Sequence, residues 1–409
     1  MLAIVAVSGA SRRGLMRTGA ERSGSRGRYR IAFVTNIIPH YRVTFFEKLC
    51  ADPHADWLVV HGSTGQSEAR ASHEGQIHIP RTMVENREFH LGFLTVRLQH
   101  GAFAAVRGFR PDCLVVLGMA GNLTNWALLA WAAVRGVRTF TWACGWEPQV
   151  RGSLAHRVKV LLSRWYFGMS SHILVYSTKG AKYLMSMGVP REKVSVCYNG
   201  LDIAGMEGQR GLVEAEGVRR RRGLSGSARV VFLYVGGLAE DKRVGLLLDA
   251  SETLEREGQE FAVWIIGDGP LGEALRARAE AAGLSRRVRF FGRIIEEVDA
   301  YFAGADWLVL PGVGGLAMNQ AMAWGTPCVV GEGDGTEDDL VVEGVTGLRF
   351  VPGDSQSLTD AMRRALAMAP ERRREMGSLG EELIRTRSNV DEMVKTFRVV
   401  LAKGSGTSP

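Results

Sequence analysis

Short apolar runs recur along the chain, each followed by a polar or glycine-bearing turn and then an amphipathic stretch. Residues 30–35 (RIAFVT), 57–60 (WLVV), 113–117 (CLVVL), 137–143 and 171–176 read as buried strands. A strand covered on both faces shows a continuous apolar run rather than alternation. Between them lie a helix with Phe45, Phe46 and Leu49 on one face, a short helix at 102–109 and an apolar helix at 126–135. A mixed basic and aromatic helix at 154–167 and a helix at 179–187 follow, and a strand at 194–197 closes the series. Residues 73–89 are polar and irregular, expected as a surface loop or short strands. After an interval rich in Gly, Glu and Arg a second series begins. Its strands are predicted at 229–235, 262–266, 288–291, 306–310, 328–330 and 347–351, and its helices at 244–257, 271–282, 296–303 and 316–324. Helices starting at 357 and spanning 390–402 finish the chain.

Strands that alternate with helices this regularly predict parallel sheets covered on both faces, an α/β class with two doubly wound halves. The expected division is a disordered basic tail at 1–29, an N-terminal domain at 30–202, a linker at 203–227, a C-terminal domain at 228–385, and a final helix with a frayed tail at 386–409. A ligand should lie in the cleft between the carboxyl edges of the two sheets.

Composition narrows the picture modestly. A chain of 409 residues is too long for one ordinary core, and 46% hydrophobic with 23% charged residues is globular. Its 51 Lys and Arg against 43 Asp and Glu leave a net charge of +8. That excess suits an anionic ligand, an anionic membrane surface or nucleic acid without choosing among them. The arginine run 219–222 is expected as a solvated face rather than a nucleic-acid contact. No apolar run reaches the roughly 18 residues of a membrane span. The opening MLAIVA is too short for a signal-peptide core. Five cysteines without close pairing point to buried thiols in a reducing cytoplasm rather than to disulfides or zinc.

Candidate chemistry concentrates at residues 301–330. An apolar strand (DWLVL) runs into a glycine-rich turn, Pro311–Gly315 (PGVGG), and then into a helix stopped by Gly325-Thr326-Pro327. Glycines let backbone approach a phosphate or ribose, and a helix start offers unpaired N–H groups and a positive dipole end. Gly314, Gly315 and Leu316 are therefore binding candidates. A second such turn, Gly236-Gly237-Leu238, ends the first strand of the second half and leads to Lys242 and Arg243. A lysine there would neutralise a departing diphosphate, though a surface lysine at a helix start reads the same. Arg293, after the strand at 288–291, lies at the same sheet edge. Asp268, Glu337, Asp338 and Asp339 read as helix caps. His40, on the loop after the first strand, is either packed or a site residue. Arg157, Lys159 and Arg164 interleave with Leu161, Leu162, Trp165 and Phe167, so that helix either lies on anionic lipid or packs on the sheet with a basic outer face. GxGxxG after the first strand, the Walker lysine motif, HExxH and GxSxG are all missing, which argues against dehydrogenase, nucleotide hydrolase and hydrolase readings.

In order along the chain stand FVTNIIPHYRVTFFEKL, VYSTKGAKYLMSMGVPREKVSVCYNGLD, LYVGGLAEDKRVGLLLDA, VWIIGDGP, VRFFGRI, QAMAWGTPCVV and EGVTGLRF. Through these segments, residues 30–401 resemble the family 4 glycosyltransferases, also called glycosyl transferases group 1. The resemblance implies the GT-B fold, two facing Rossmann-like domains, and retaining transfer of a sugar from a nucleotide-sugar donor bound by the C-terminal half. The acceptor, a glycan, a lipid-linked molecule or a natural product, would bind the N-terminal half. The alternative is a GT-B nucleotide-sugar binder or epimerase without transfer. Lys242 matches the family's diphosphate lysine, and Gly237 stands where its arginine would be, with Arg243 or Arg293 as substitutes. The family's two glutamates fall on Gly312 and Gln320. Gln320 retains hydrogen-bonding capacity toward a ribose, and the backbone of Gly314, Gly315 and Leu316 takes the sugar. Lys242 and His40 are thus the expected catalytic residues, with Gly236, Gly237, Arg243, Arg293, Gly314, Gly315, Leu316 and Gln320 holding the donor. The resemblance implies no metal and no cofactor beyond the nucleotide sugar. No nucleic-acid partner is expected. The buried thiols place the chain in the cytoplasm, and the two readings of the 154–167 helix leave peripheral contact at the inner membrane face as an alternative to a wholly soluble protein.

Overall fold

A computed structural model describes residues 28–63, 77–91, 94–145, 154–224, 228–331 and 333–403. Of the tail expected at 1–29, residues 1–27 lie outside this range and Tyr29 already belongs to the first strand; residues 146–153 and 404–409 also lie outside it. The first half contains β1 (Tyr29–Thr35), β2 (Ala55–Gly62), β3 (Arg81–Leu91), β4 (Leu94–His100), β5 (Cys113–Leu117), β6 (Arg138–Ala143), β7 (His172–Val175) and β8 (Val194–Val196). They form one sheet in the order β4-β3-β2-β1-β5-β6-β7-β8, with every pairing parallel except β3 with β4. The helices are α1 (Val43–Cys50), α2 (Ala102–Phe109), α3 (Leu123–Arg135), α4 (Leu154–Gly168) and α5 (Thr178–Ser186). Their starts follow local chemistry: Asn122 caps α3 by accepting from the Thr124 N–H, and Ser177 caps α5 by accepting from Gly180.

Past α6 (Ile203–Glu207) and α7 (Arg210–Leu224), the second sheet consists of β9 (Val230–Val235), β10 (Phe261–Ile266), β11 (Val288–Gly292), β12 (Trp307–Leu310), β13 (Cys328–Val330) and β14 (Gly347–Arg349). Its order, β11-β10-β9-β12-β13-β14, is the doubly wound order, with all pairings parallel. The helices around it are α8 (Val244–Arg256), α9 (Gly272–Ala281), α10 (Val298–Gly304), α11 (Leu316–Ala323), α12 (Thr336–Leu340), α13 (Ser355–Ala367) and α14 (Pro370–Arg387). The last helix, α15 (Val390–Ala402), returns to the first half and packs on α1. Its Phe397 lies among Phe33, Phe45 and Trp142, with ring centroids 6.1, 5.2 and 5.4 Å away.

Three segments differ in detail from expectation. The linker expected at 203–227 is helical over most of 203–224, as α6 and α7. α7 packs on α10 through Gly217, where a Cβ would stand 2.9 Å from the Ala300 carbonyl oxygen. The arginines there are paired rather than merely solvated, Arg220 with Glu216 and Arg221 with buried Asp306 at 2.6 Å. Of the two readings of 73–89, a strand is what residues 81–89 adopt within β3; its antiparallel partner β4 was not expected, because an edge strand exposes much of its length. The charged segment 370–387 is an added helix, α14, started by a proline in its first turn.

Candidate functional site

The strand order of the second sheet reverses between β9 and β12, and the loops leaving their carboxyl ends lie against each other. The first loop ends in the turn Glu240–Lys242, and the second is the glycine turn at 311–315. Val313 donates its N–H to the Asp241 carbonyl at 3.1 Å. Lys242 Nζ donates to the Val313 carbonyl at 2.9 Å and stands 3.0 Å from Asp241 Oδ2. Gly312 allows this approach: a Cβ there would sit 2.3 Å from Asp241 O and 2.7 Å from Lys242 C. Gly315 then serves as the N-cap of α11 with no capping side chain. Among the described residues, no backbone acceptor meets the N–H groups of Gly314, Gly315 or Leu316. A cation and a set of bared amides thus share one turn, an arrangement suited to a diphosphate.

Not every expected donor residue joins this turn. Gly236 and Gly237 lie instead against the segment after β10: the Gly236 N–H donates to the Ile266 carbonyl at 3.0 Å, and the Tyr234 hydroxyl donates to the Gly237 carbonyl at 2.7 Å. Arg243, in the left-handed region at φ 49°, instead turns toward Gly353, where a Cβ would stand 3.1 Å from its Nη1. Arg293 is exposed beyond β11, two strands from β9. Gln320 Nε2 donates to Asp299 Oδ1 at 2.7 Å, beside the Trp324 indole, which donates to the same oxygen. Asp268 does not cap α9, whose N-cap is Leu271 without a side-chain bond; its Oδ1 accepts from the Gly269 N–H at 2.8 Å within the turn before the helix.

The acidic run 337–339 is more than a cap. Asp339 accepts from the Thr178 N–H at 2.7 Å and from its hydroxyl, and Asp338 stands 3.3 Å from Lys179 Nζ, so both carboxylates reach into the first half. Cys144 Sγ donates to the Asp334 carbonyl nearby. Glu337 points the other way and is 2% exposed. Its Oε2 accepts from the Gly335 N–H at 3.0 Å, while Oε1 is buried and has no partner among the described residues. Burial, reinforced by the charge of Asp334, pushes this carboxyl up to about 7.

Across the cleft, the first sheet reverses its order between β1 and β5. His40 stands exposed on the loop after β1, its ring edge-on to Tyr41. Behind it, buried Arg42 stacks on Trp142 at 4.9 Å and donates to Asn199 Oδ1 at 2.6 Å. The Asn199 carbonyl accepts from Asn319 of α11 and from Ser388, so one crossover residue ties the His40 loop to the helix bearing Gln320. The carboxyl edge carries buried amides: Asn122 donates to Gln99 Oε1, Gln99 to the Thr35 carbonyl, and Asn36 to Met119 Sδ. Arg42, Asn199 and this amide group were passed over in sequence, because their partners are distant along the chain and no local pattern marks them, and Glu337 reads there only as a helix cap. α4 buries Tyr166 and Phe167 but leaves Val158, Leu161, Leu162 and Trp165 exposed, with Trp165 at 64%. Its outer face is therefore apolar as well as basic. No helix among the described residues is long and apolar enough to cross a membrane.

Comparison with known proteins gives a consistent result. Residues 219–382 match the family described as Glycosyl transferases group 1, and residues 47–204 match Glycosyltransferase Family 4. The chain is 28% identical over 271 residues to the 2-deoxystreptamine glucosyltransferase of Streptomyces kanamyceticus, covering 63% of this chain and 68% of that protein. It is 28% identical over 318 residues to the 2-deoxystreptamine N-acetyl-D-glucosaminyltransferase of Streptomyces fradiae, covering 73% and 74%. The match to the amylovoran biosynthesis glycosyltransferase AmsK of Erwinia amylovora spans 48% of each chain. Among solved structures, Anabaena Alr3699/HepE in complex with UDP superposes with a TM-score of 0.70 at 18% identity, over 92% of this chain and 100% of that one.

Proposed function

We propose, for a chain that belongs to the group 1 and family 4 glycosyltransferases of GT-B fold, transfer of a sugar from a uridine diphosphate sugar with retention of configuration. The acceptor is a hydroxyl of a glycan, an aminocyclitol-type natural product or a lipid-linked molecule. Support for the donor comes from the UDP held by the structural neighbour, and for the acceptor from the activities named for the Streptomyces relatives.

One observation carries the reading: Lys242 Nζ rests on the Val313 carbonyl, beside the bared N–H groups at the start of α11. Rotation of that side chain brings its charge onto a diphosphate seated on the turn. As the bond from the anomeric carbon to the phosphate oxygen breaks, Lys242 and the helix N-terminus stabilise the growing negative charge. The acceptor oxygen bonds to the anomeric carbon from the same face, and its proton passes to the departing phosphate. The leaving group serves as the base, so no protein carboxylate is required, and His40 orients acceptor and sugar from the facing loop. Lys242 supplies the charge that a divalent ion would otherwise bring, so activity is expected to persist in EDTA.

The test is turnover of UDP-sugars by the purified chain and its Lys242→Ala variant, with the product anomer read by NMR. A loss of roughly 100- to 1,000-fold in kcat is expected for the variant. Equal turnover by the variant, or an inverted product, would overturn the proposal.

A further inference from the structure

We propose that Glu337 reads the sugar of the donor: its unpartnered oxygen accepts the hydrogen of one hydroxyl of a hexose lying on the 312–316 turn. The inference rests on the donor site above and assigns that site a specificity residue.

The geometry is specific. Oε2 is fixed by the Gly335 N–H at 3.0 Å, which aims Oε1 at the glycine turn. A Cβ added at Gly314 would lie 3.1 Å from Oε1, and one added at Gly333 would lie 1.9 Å away. The carboxylate therefore occupies space that side chains at 314 and 333 would fill. Lys242 meets the same turn one residue earlier, at the Val313 carbonyl. A cation and an acceptor thus flank neighbouring residues of one loop. In a nucleotide sugar the diphosphate and the hexose are likewise adjacent, joined through the anomeric carbon. The cation matches the first and the acceptor matches the second.

The chemistry points to a hydroxyl. Buried acceptors are nearly always paired, and Oε1 is 98% withdrawn from solvent with its residue and has no donor among the described residues. A sugar hydroxyl supplies that donor without adding charge. The N–H groups of Gly314, Gly315 and Leu316 can only donate, so a hydroxyl held between them and Glu337 would both accept and donate. That pairing distinguishes a hydroxyl from a hydrogen or an ether at the same carbon.

The experiment measures affinity by calorimetry for UDP, UDP-glucose and its monodeoxy analogues, on the whole chain and on Glu337→Leu and Glu337→Gln. UDP should bind all three proteins equally, which also reports that the variants are folded. The wild type should lose roughly 10- to 100-fold in affinity for one monodeoxy donor relative to UDP-glucose. Glu337→Leu should bind that analogue and UDP-glucose alike, and Glu337→Gln, which keeps an acceptor oxygen, should restore part of the discrimination. If Glu337→Leu discriminates as the wild type does, or if no deoxy donor is distinguished, this proposal falls while the nucleotide-sugar reading stands. If UDP fails to bind the wild type, both fall.

Discussion

Gly312→Ala is a direct probe of the contact between the loops that follow β9 and β12. The added methyl carbon would lie 2.3 Å from the Asp241 carbonyl oxygen and 2.7 and 2.8 Å from the carbonyl carbon and oxygen of Lys242. Comfortable separations are about 3.5 Å or more, so one of the loops must retreat by roughly 1 Å. All three obstructing atoms are backbone, and no rotamer change relieves them. Gly312 does not have a positive φ, so the strain comes from the contact alone. Overpacking of this kind costs about 1–3 kcal/mol, and each kcal/mol lowers Tm by about 2–4 °C in a domain of this size. The same displacement stretches the bond from Val313 N–H to Asp241 and moves Lys242 Nζ off the turn. Differential scanning fluorimetry should therefore show a lower Tm and, in addition, a smaller rise in Tm on adding UDP. Gly223→Ala is the control: it lies at an exposed position in the last turn of α7 with nothing within 4 Å of its added carbon, and it should be neutral or stabilising by up to about 1 kcal/mol. A Gly312→Ala protein with wild-type Tm and a wild-type response to UDP would refute the account of how these loops are held.

Two further outcomes follow from burial and exposure. The Glu337 carboxyl titrates near 7 in the fold against 4.5 for an unperturbed group, so the folded state holds its proton more tightly. The associated stability is full below about pH 4.5 and is lost as pH rises through about 7, a ceiling of about 3 kcal/mol. Glu337→Gln should therefore gain stability relative to the wild type as pH rises from 5 to 8 in urea unfolding series, and a constant difference would contradict the burial argument. The exposed apolar residues of α4, flanked by Lys159 and Arg164, should bind vesicles containing phosphatidylserine more than neutral ones in co-sedimentation, and Trp165→Ala with Leu161→Ala should reduce that binding severalfold.

The buried strands were legible because continuous apolar runs such as CLVVL and FAVWII leave little else to be. The glycine turns after β9 and β12 were legible for a related reason: glycines directly after such runs mark the end of a strand. Residues 90–100, 210–224 and 370–387 were given no element because their polar composition hides any apolar pattern. In α7 and α14 the charges form ladders and reach across helices, as in Arg210 with Glu381 and Arg373 with Asp306. The placement of Glu337 depends on glycines at 314 and 333 and on a cap at 335 together, and only the fold brings those three to one carboxylate. Arg243 looked like a partner for Lys242 because they are adjacent, but a left-handed backbone at 243 sends the two side chains apart.

The docking of α15 on α1 has a consequence for biosynthesis. Phe33, Phe45 and Phe46 emerge from the ribosome early, yet the aromatic that completes their layer is residue 397. At about 5–20 residues per second, that face waits for tens of seconds with its apolar side uncovered. The half made first is the half finished last, and a nascent chain stalled before residue 390 would present a sticky surface to chaperones.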